Sequence, residues 1–198
     1  MKKILGISAS PRKEATEFAV CRALERAQTV PGITTEYISL RDYNIRPCTH
    51  CDYCYRKQAG CVIRDDMSAL TEKFLQADGY IIGSPVYTYN PTPELLMFFN
   101  RLRPLRFTHP NALAFKVGGA LSVGGTRNGG QELTINAIIN LYLARGIMVV
   151  GGSTSNYAGG KIWTDNRDAQ GAQADEVGIA TVEDIGVRVA IALTMLKP

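Results

Sequence analysis

The hydrophobic positions of the chain follow two patterns, short apolar runs and longer stretches with a helical period. The short runs predict five strands, at residues 4–7, 34–40, 80–83, 116–123 and 147–150. The helical period predicts helices over residues 16–27, 67–77, 93–102, 132–145 and 177–196, the last weakly interrupted at Gly186. Residues 152–175 have no clear period and are expected to form a long loop that contains Trp163.

Strands that alternate with helices predict a single α/β domain over residues 1–198, built on a doubly wound, five-stranded parallel sheet covered on both faces. A cysteine-rich segment at about residues 47–66 has no clear period and is expected to be a loop inserted after the second strand. In such sheets ligands bind beyond the carboxyl ends of the strands. The loops after the first, third and fourth strands have the least ordinary composition, so they are the candidates for chemistry.

Composition and charge exclude several classes of protein. The 198 residues include 22 lysines and arginines against 18 aspartates and glutamates, a net charge of +4 without long like-charge runs. Because the chain has no basic block with interleaved aromatic residues, nucleic acid is not an expected partner. It also has no apolar run long enough to span a membrane or to serve as a signal peptide. We therefore expect a cytoplasmic protein without a membrane partner.

The loop after the first strand, residues 6–13, predicts an anion site. It brings hydroxyl groups, backbone N–H groups and the guanidinium of Arg12 to the start of a helix. Its spacing is neither that of dinucleotide-binding folds nor that of nucleotide hydrolases, which favours a mononucleotide such as FMN. A polar turn that only caps the helix is the alternative.

The other two loops are suited to a flat ring. Pro85 stiffens the loop of residues 83–91, which also carries aromatic and apolar side chains. The loop of residues 122–132 has four glycines, which permit close approach of the backbone to a ligand. Glycine and proline occur in the turns of any α/β protein, so each loop alone is a weak indication of a flavin site. The three loops together are a more specific indication, because they follow neighbouring strands.

Four of the five cysteines fall within one short segment, as Cys48, Cys51, Cys54 and Cys61. In a cytoplasmic chain, clustered thiols indicate a metal or redox site more than a disulfide framework. Successive C-x2-C steps let one tight loop wrap a cubane, so the four thiolates are predicted to bind one [4Fe–4S] cluster. Two alternatives stay open: a tetrahedral zinc site on the four cysteines, in which His50 could replace one of them, and a thiol cluster without metal. The fifth cysteine, Cys21, is expected to be a small buried residue of the first helix.

These motifs together resemble the iron–sulfur flavoprotein family, part of the flavodoxin-like NAD(P)H:FMN and quinone reductases. The resemblance rests on S-P-R-K at residues 10–13, G-S-P-V-Y at 83–87, G-T-R-N-G-G-Q-E at 125–132 and the compact cysteine run, which Asp-Asp-Met follows at 65–67. It covers nearly the whole chain. It implies a flavodoxin-like sheet of order 2-1-3-4-5, with FMN and a [4Fe–4S] cluster as cofactors.

The resemblance also assigns the residues that would contact FMN. Those around the phosphate would be Ser8, Ser10, Arg12 and Thr16. Those beside the ring and the ribityl chain would be Pro85, Val86, Tyr87 and Thr88 on one side and Ser122, Gly124 and Gly125 on the other. Thr16 stands one residue earlier than in the usual first loop of the family.

The function implied by the resemblance is electron transfer from a ferredoxin-like donor, through the cluster and FMN, to a small acceptor. No side chain need be catalytic, because the flavin carries the chemistry. Family members assemble as dimers or tetramers, with the cluster of one subunit near the flavin of another. A patch of Arg101, Arg103 and Arg106 is either a docking site for an acidic ferredoxin or an ordinary solvated face.

Two other functions are compatible with the residues. One is an NAD(P)H-dependent FMN or quinone reductase whose cysteines hold a structural zinc. The other is a non-enzymatic redox or metal sensor that uses the fold as a scaffold. The presence of all three candidate flavin loops argues against the sensor, because a scaffold does not need them.

Overall fold

The computed structural model of the protein describes residues 1–153 and 156–196. Its strands are β1 (Lys2–Ser8), β2 (Ile33–Ser39), β3 (Gly79–Pro85), β4 (Val117–Gly124), β5 (Met148–Val149) and β6 (Gly160–Trp163). Its helices are α1 (Ala15–Gln28), α2 (Tyr53–Lys57), α3 (Met67–Gln76), α4 (Pro93–Arg101), α5 (Leu105–Thr108), α6 (Gln131–Leu143), α7 (Asp168–Ala174) and α8 (Glu176–Met195). A 3-10 turn, Leu40–Asp42, follows β2.

The strands pair in parallel in the order β2-β1-β3-β4-β5. β5 pairs with Val117 and Gly118 at the start of β4, whereas β6 pairs with residues 121–124 at its end. The two short strands therefore share the fifth position of the sheet. Parallel neighbours require crossover connections, which are helical here and explain the alternation seen in the sequence. The predicted flavodoxin-like fold and its strand order are confirmed.

Two segments predicted to be loops contain regular structure. Residues 152–175, expected to be one long loop, include β6 and α7. The cysteine segment, also expected to be a loop, includes the five-residue helix α2. Both predictions were wrong at these points because the elements are short, and α7 consists mostly of small and polar residues with no apolar period.

Apolar cores cover both faces of the sheet. One core packs α3, α4 and α6 against the strands, and the other packs α1 and α8. In the first core the rings of Phe74 and Tyr80 stack with their centroids 4.0 Å apart. The hydroxyl of Tyr142 donates to the Gly119 carbonyl at 3.0 Å, so this buried phenol has a partner. The cores hold the strand ends, and with them the loops, in fixed positions.

The last helix is continuous through Gly186, where the sequence suggested an interruption. A Cβ atom on this glycine would lie 2.1 Å from the carbonyl oxygen of Ala23 in α1. Gly186 is therefore a point of close approach between α1 and α8, and its role is packing. No helix in residues 1–153 or 156–196 is long and apolar enough to cross a membrane.

Candidate functional site

The loops after β1, β3 and β4 come together at one edge of the sheet, as the parallel register requires. Ser8 lies beside Gly83, and Ser84 lies beside Ser122. Beyond these residues two adjoining hollows open, of about 280 Å³ and about 310 Å³, and Val86 lines both. We call the two hollows together the strand-end cavity.

Most of the residues predicted to contact FMN line the strand-end cavity: Ser10, Arg12, Thr16, Pro85, Val86, Tyr87, Thr88, Gly124 and Gly125. The other two, Ser8 and Ser122, are fully buried in the carboxyl-terminal halves of β1 and β4 and line neither hollow. The Ser122 hydroxyl has no hydrogen-bond partner among the described residues. Buried hydroxyls normally have a partner, so the Ser122 hydroxyl is one of the exceptions among the described residues.

The first loop folds around its own hydroxyl groups and presents a cation. The N–H of Arg12 donates to Ser10 Oγ at 3.1 Å, and the N–H of Ser10 donates to Ser8 Oγ at 3.4 Å. The Arg12 guanidinium pairs with the carboxylate of Asp168 at 2.9 Å, in a partly exposed position. The Asp168 carboxylate therefore lies just before the start of α1, where an anionic ligand is favoured.

Part of the strand-end cavity comes from a segment that the sequence interpretation missed. Thr164, Asn166 and Asp168, which lie after β6 and at the start of α7, line it together with the three predicted loops. The available signal was the polar run T-D-N-R-D at residues 164–168, directly after an alternating strand. It was hidden inside the stretch interpreted as a long loop.

The glycine-rich third loop is braced by two side chains. Gln131 Nε2 donates to the Thr126 carbonyl, and Gln131 Oε1 accepts from the Gly129 N–H, both at 3.0 Å. Trp163 Nε1 donates to the Gly125 carbonyl at 3.0 Å. Trp163 thus fixes the backbone that lines the cavity.

All four clustered cysteines line one small cavity of about 20 Å³, which we call the cysteine cavity. Cys54 is buried, Cys61 is half-buried, and Cys48 and Cys51 are exposed. In the described part of the chain, no three His, Cys, Asp or Glu side chains come close enough together to hold a metal ion. His50, the candidate fourth zinc ligand, does not line this cavity, and its side chain is 79% exposed.

A buried ion pair ties the cysteine segment to the end of α4. Arg101 and Asp65 form a bidentate pair at 2.6 and 2.9 Å, with side chains only 1% and 2% exposed. Arg101 Nη1 also donates to the Arg46 carbonyl at 2.6 Å. Because Arg46 precedes the cysteines and Asp65 follows them, one guanidinium holds both ends of the segment.

The same pair corrects the sequence interpretation of a three-arginine surface patch. Arg101 is buried, so it is not available to a docking protein. Arg103 binds Asp52 at 2.5 Å and is 28% exposed, while Arg106 is exposed. Exposed basic residues near the cysteines in sequence are Arg46, Arg56, Lys57 and Arg64.

Because of the Asp65 carboxyl, we expect the folded protein to lose stability in acid. Burial alone would raise the pKa of its carboxyl, but hydrogen bonds from Arg101 and from the N–H groups of Arg46 and Met67 lower it from 3.8 to about 2. A lowered pKa stabilises the fold above pH 4, and this stabilisation, about 2 kcal/mol, is lost as the pH falls towards 2. Urea unfolding at about pH 5 and about pH 2.5 measures it. The wild type should lose more stability than Asp65→Asn, and equal losses would contradict this role.

Comparison with known proteins places the chain in a family. Residues 2–160 match the family model described as NADPH-dependent FMN reductase. An iron–sulfur flavoprotein of Methanocaldococcus jannaschii is 39% identical over 178 residues, 89% of each chain. The chain belongs to the iron–sulfur flavoproteins of this family. Another family member, from Methanosarcina thermophila, is 39% identical over 98% of this chain and 97% of its own.

Solved structures agree on the fold of this iron–sulfur flavoprotein. RosB with a bound intermediate superposes with a TM-score of 0.81 at 18% identity, over 99% of this chain and 80% of its own. The WrbA-like flavodoxin of Agrobacterium tumefaciens gives a TM-score of 0.65 at 15% identity, over 99% of both chains. Family membership makes the chain an FMN-dependent oxidoreductase with a flavin redox function.

Proposed function

We propose that this protein passes electrons between a [4Fe–4S] cluster on Cys48, Cys51, Cys54 and Cys61 and FMN in the strand-end cavity. The observation that carries the proposal is that four cysteines of one segment line a single cavity in a chain that also has a cavity suited to a flavin. A cluster exchanges one electron, whereas FMN exchanges one or two, so the pair would connect two kinds of redox partner.

The strand-end cavity fits FMN in its donors and in its shape. Ser10, Arg12 and Thr16 would bind the phosphate, because Arg12 already holds an anion and the start of α1 favours one. Val86 and Tyr87 would lie against the ring. At Gly125 a Cβ atom would come within 2.2 Å of Asn166 Oδ1, so only glycine leaves this wall its present shape. Ser8 and Ser122 line neither hollow, so the proposed phosphate and ring contacts do not depend on their hydroxyls.

The cysteine cavity fits a cluster in the chemistry of its donors. Thiolates are the ligands of iron–sulfur clusters, and hydrogen bonds that favour the thiolate prepare the site. The backbone N–H of Tyr53 is the main cause that lowers the pKa of the Cys51 thiol. This N–H would offset part of the negative charge that four thiolates bring together.

Helix α4 separates the two cavities. Just before this helix, the Thr92 hydroxyl donates to the Ala9 carbonyl at 2.8 Å beside the strand ends, and the helix finishes at Arg101 in the cysteine cavity. At about 1.5 Å per residue the helix is roughly 13 Å long. The lining residues of the two cavities do not overlap. As the resemblance implies, we propose a homodimer or homotetramer in which the cluster of one subunit serves the flavin of another.

The donor we propose is a small, acidic electron carrier of the ferredoxin kind. Cys48 and Cys51 are exposed, and Arg56, Lys57 and Arg64 offer positive charge beside them. Opposite charge on a partner speeds encounter at such a surface. We propose a cytoplasmic location for this exchange, because free clustered thiols persist in a reducing compartment.

The first experiment is anaerobic purification, followed by measurement of iron, sulfide, zinc and flavin on one sample. We expect about four iron and four sulfide ions with one FMN per chain. Reduction of the cluster and then of FMN by a photoreduced ferredoxin should follow. FMN with zinc, and no iron even after reconstitution, would contradict the proposal and favour a nicotinamide-dependent reductase with a structural zinc.

A further inference from the structure

One buried arginine of the cysteine cavity has a donor group that the protein does not use. Both Nη atoms of Arg101 donate to Asp65, and Nη1 donates also to the Arg46 carbonyl. Its Nε is buried and has no hydrogen-bond partner in the described ranges of the chain. A buried N–H without a partner is unfavourable. We therefore expect that a group outside the described residues, once bound, gives this N–H a hydrogen-bond acceptor.

Cys61 is the neighbour that could accept from this group. It lines the cysteine cavity together with Arg101. Burial alone would lower the pKa of the guanidinium, but Asp65 and the nearby Cys61 sulfur raise it. A neutral thiol is a weak acceptor, whereas a sulfur that is bound to a cluster as thiolate carries negative charge and accepts well. A hydrogen bond from Nε to this sulfur would thus be strong only when Cys61 is a ligand.

We propose that Arg101 is a positioning residue for the cluster, whose Nε–H donates to the sulfur of Cys61 and raises the cluster's reduction potential. The inference rests on the proposed function, because it requires a cluster at the four cysteines. Hydrogen bonds to ligand sulfurs stabilise the more negative, reduced form, and they are among the features that set cluster potentials. Asp65 balances the charge of the guanidinium from the opposite side, so the directed hydrogen bond is what Arg101 contributes.

The test is a redox titration of the cluster, followed by EPR, in Arg101→Lys and Arg103→Lys. Lysine at position 101 keeps a cation for Asp65 and removes the Nε–H donor. Arg103 is the matched control, because it lines the same cavity but binds Asp52 and is 28% exposed. We expect Arg101→Lys to lower the midpoint potential by about 59 mV, a tenfold change in the ratio of reduced to oxidised cluster. Arg103→Lys should stay near the wild type.

An unchanged potential in Arg101→Lys, or an equal fall in both variants, overturns the inference. If Arg101→Lys does not assemble a cluster, a labelling measurement decides. Protein with 15N-labelled arginine, in which Arg56 and Arg103 are replaced by lysine, should show a weak 15N coupling to the reduced cluster in pulsed EPR. Absence of that coupling overturns the inference as well. Failure of the proposed function is a separate result, seen as wild-type protein that binds no iron and sulfide.

Discussion

Replacing Cys54 with serine is expected to remove iron and sulfide from the protein while FMN stays bound. Cys54 is the most buried of the cavity cysteines, 8% exposed, and it is held within α2. Serine offers a hard hydroxyl in place of a soft thiolate. Because even the loss of an outer-shell partner costs about tenfold or more in metal affinity, we expect iron per chain to fall at least tenfold. Iron and sulfide analysis, with EPR of the reduced protein, measures the effect.

The matched control is Cys21→Ser. Cys21 lies in α1, away from the cysteine cavity, and it is half-buried. Burial is the main cause that raises the pKa of its thiol, so it is poorly prepared to act as a ligand. Cys21→Ser should therefore keep its iron, its sulfide and its FMN. Full iron in Cys54→Ser, or an equal loss in both variants, would show that the cysteine cavity is not the cluster site.

The parallel sheet could be predicted from the sequence because most long elements carry either an apolar run or a helical period, whereas its strand order came from the resemblance to the iron–sulfur flavoproteins. Strands such as β1 are apolar on both faces, and helices such as α4 have an apolar stripe. The segment from β6 to α7 carries neither signal. β6 has only four residues, and α7 consists of small and polar residues. The position of α7 depends on close packing instead. A Cβ atom on Gly171, for example, would lie 1.7 Å from the Thr164 carbonyl oxygen.

The sequence predicts the clustered cysteines of the candidate site better than it predicts the residues that the fold brings beside them. Four cysteines at close spacing lie near one another in any fold, so the sequence alone could predict that they share a cavity. The role of Arg101 could not be predicted in this way. Its burial depends on Asp65, which stands 36 residues earlier in the chain, and a single sequence does not show which distant charges pair. In the same way Asp168 reaches Arg12 only through the fold.

The phosphate subsite gives the second large effect, a loss of FMN affinity of about 10- to 100-fold in Arg12→Gln. Arg12 is the cation of the strand-end cavity, and a charge-assisted hydrogen bond is worth about 1.5–3 kcal/mol. Its removal also leaves the Asp168 carboxylate without its partner, so that carboxylate would repel the phosphate. Titration of the flavin-free protein with FMN, followed by flavin fluorescence, measures the change.

Riboflavin separates the phosphate contact from the ring contacts, because it carries the same ring without the phosphate. Arg12→Gln should bind riboflavin as the wild type does and should lose most of its preference for FMN. Lys13→Gln is the matched control, since Lys13 is the next residue, has the same charge and does not line the cavity. Adding Asp168→Asn to Arg12→Gln should restore part of the FMN affinity, because it removes the uncompensated carboxylate. An equal loss of FMN and riboflavin in Arg12→Gln would instead mean that Arg12 supports the shape of the loop and does not bind the phosphate.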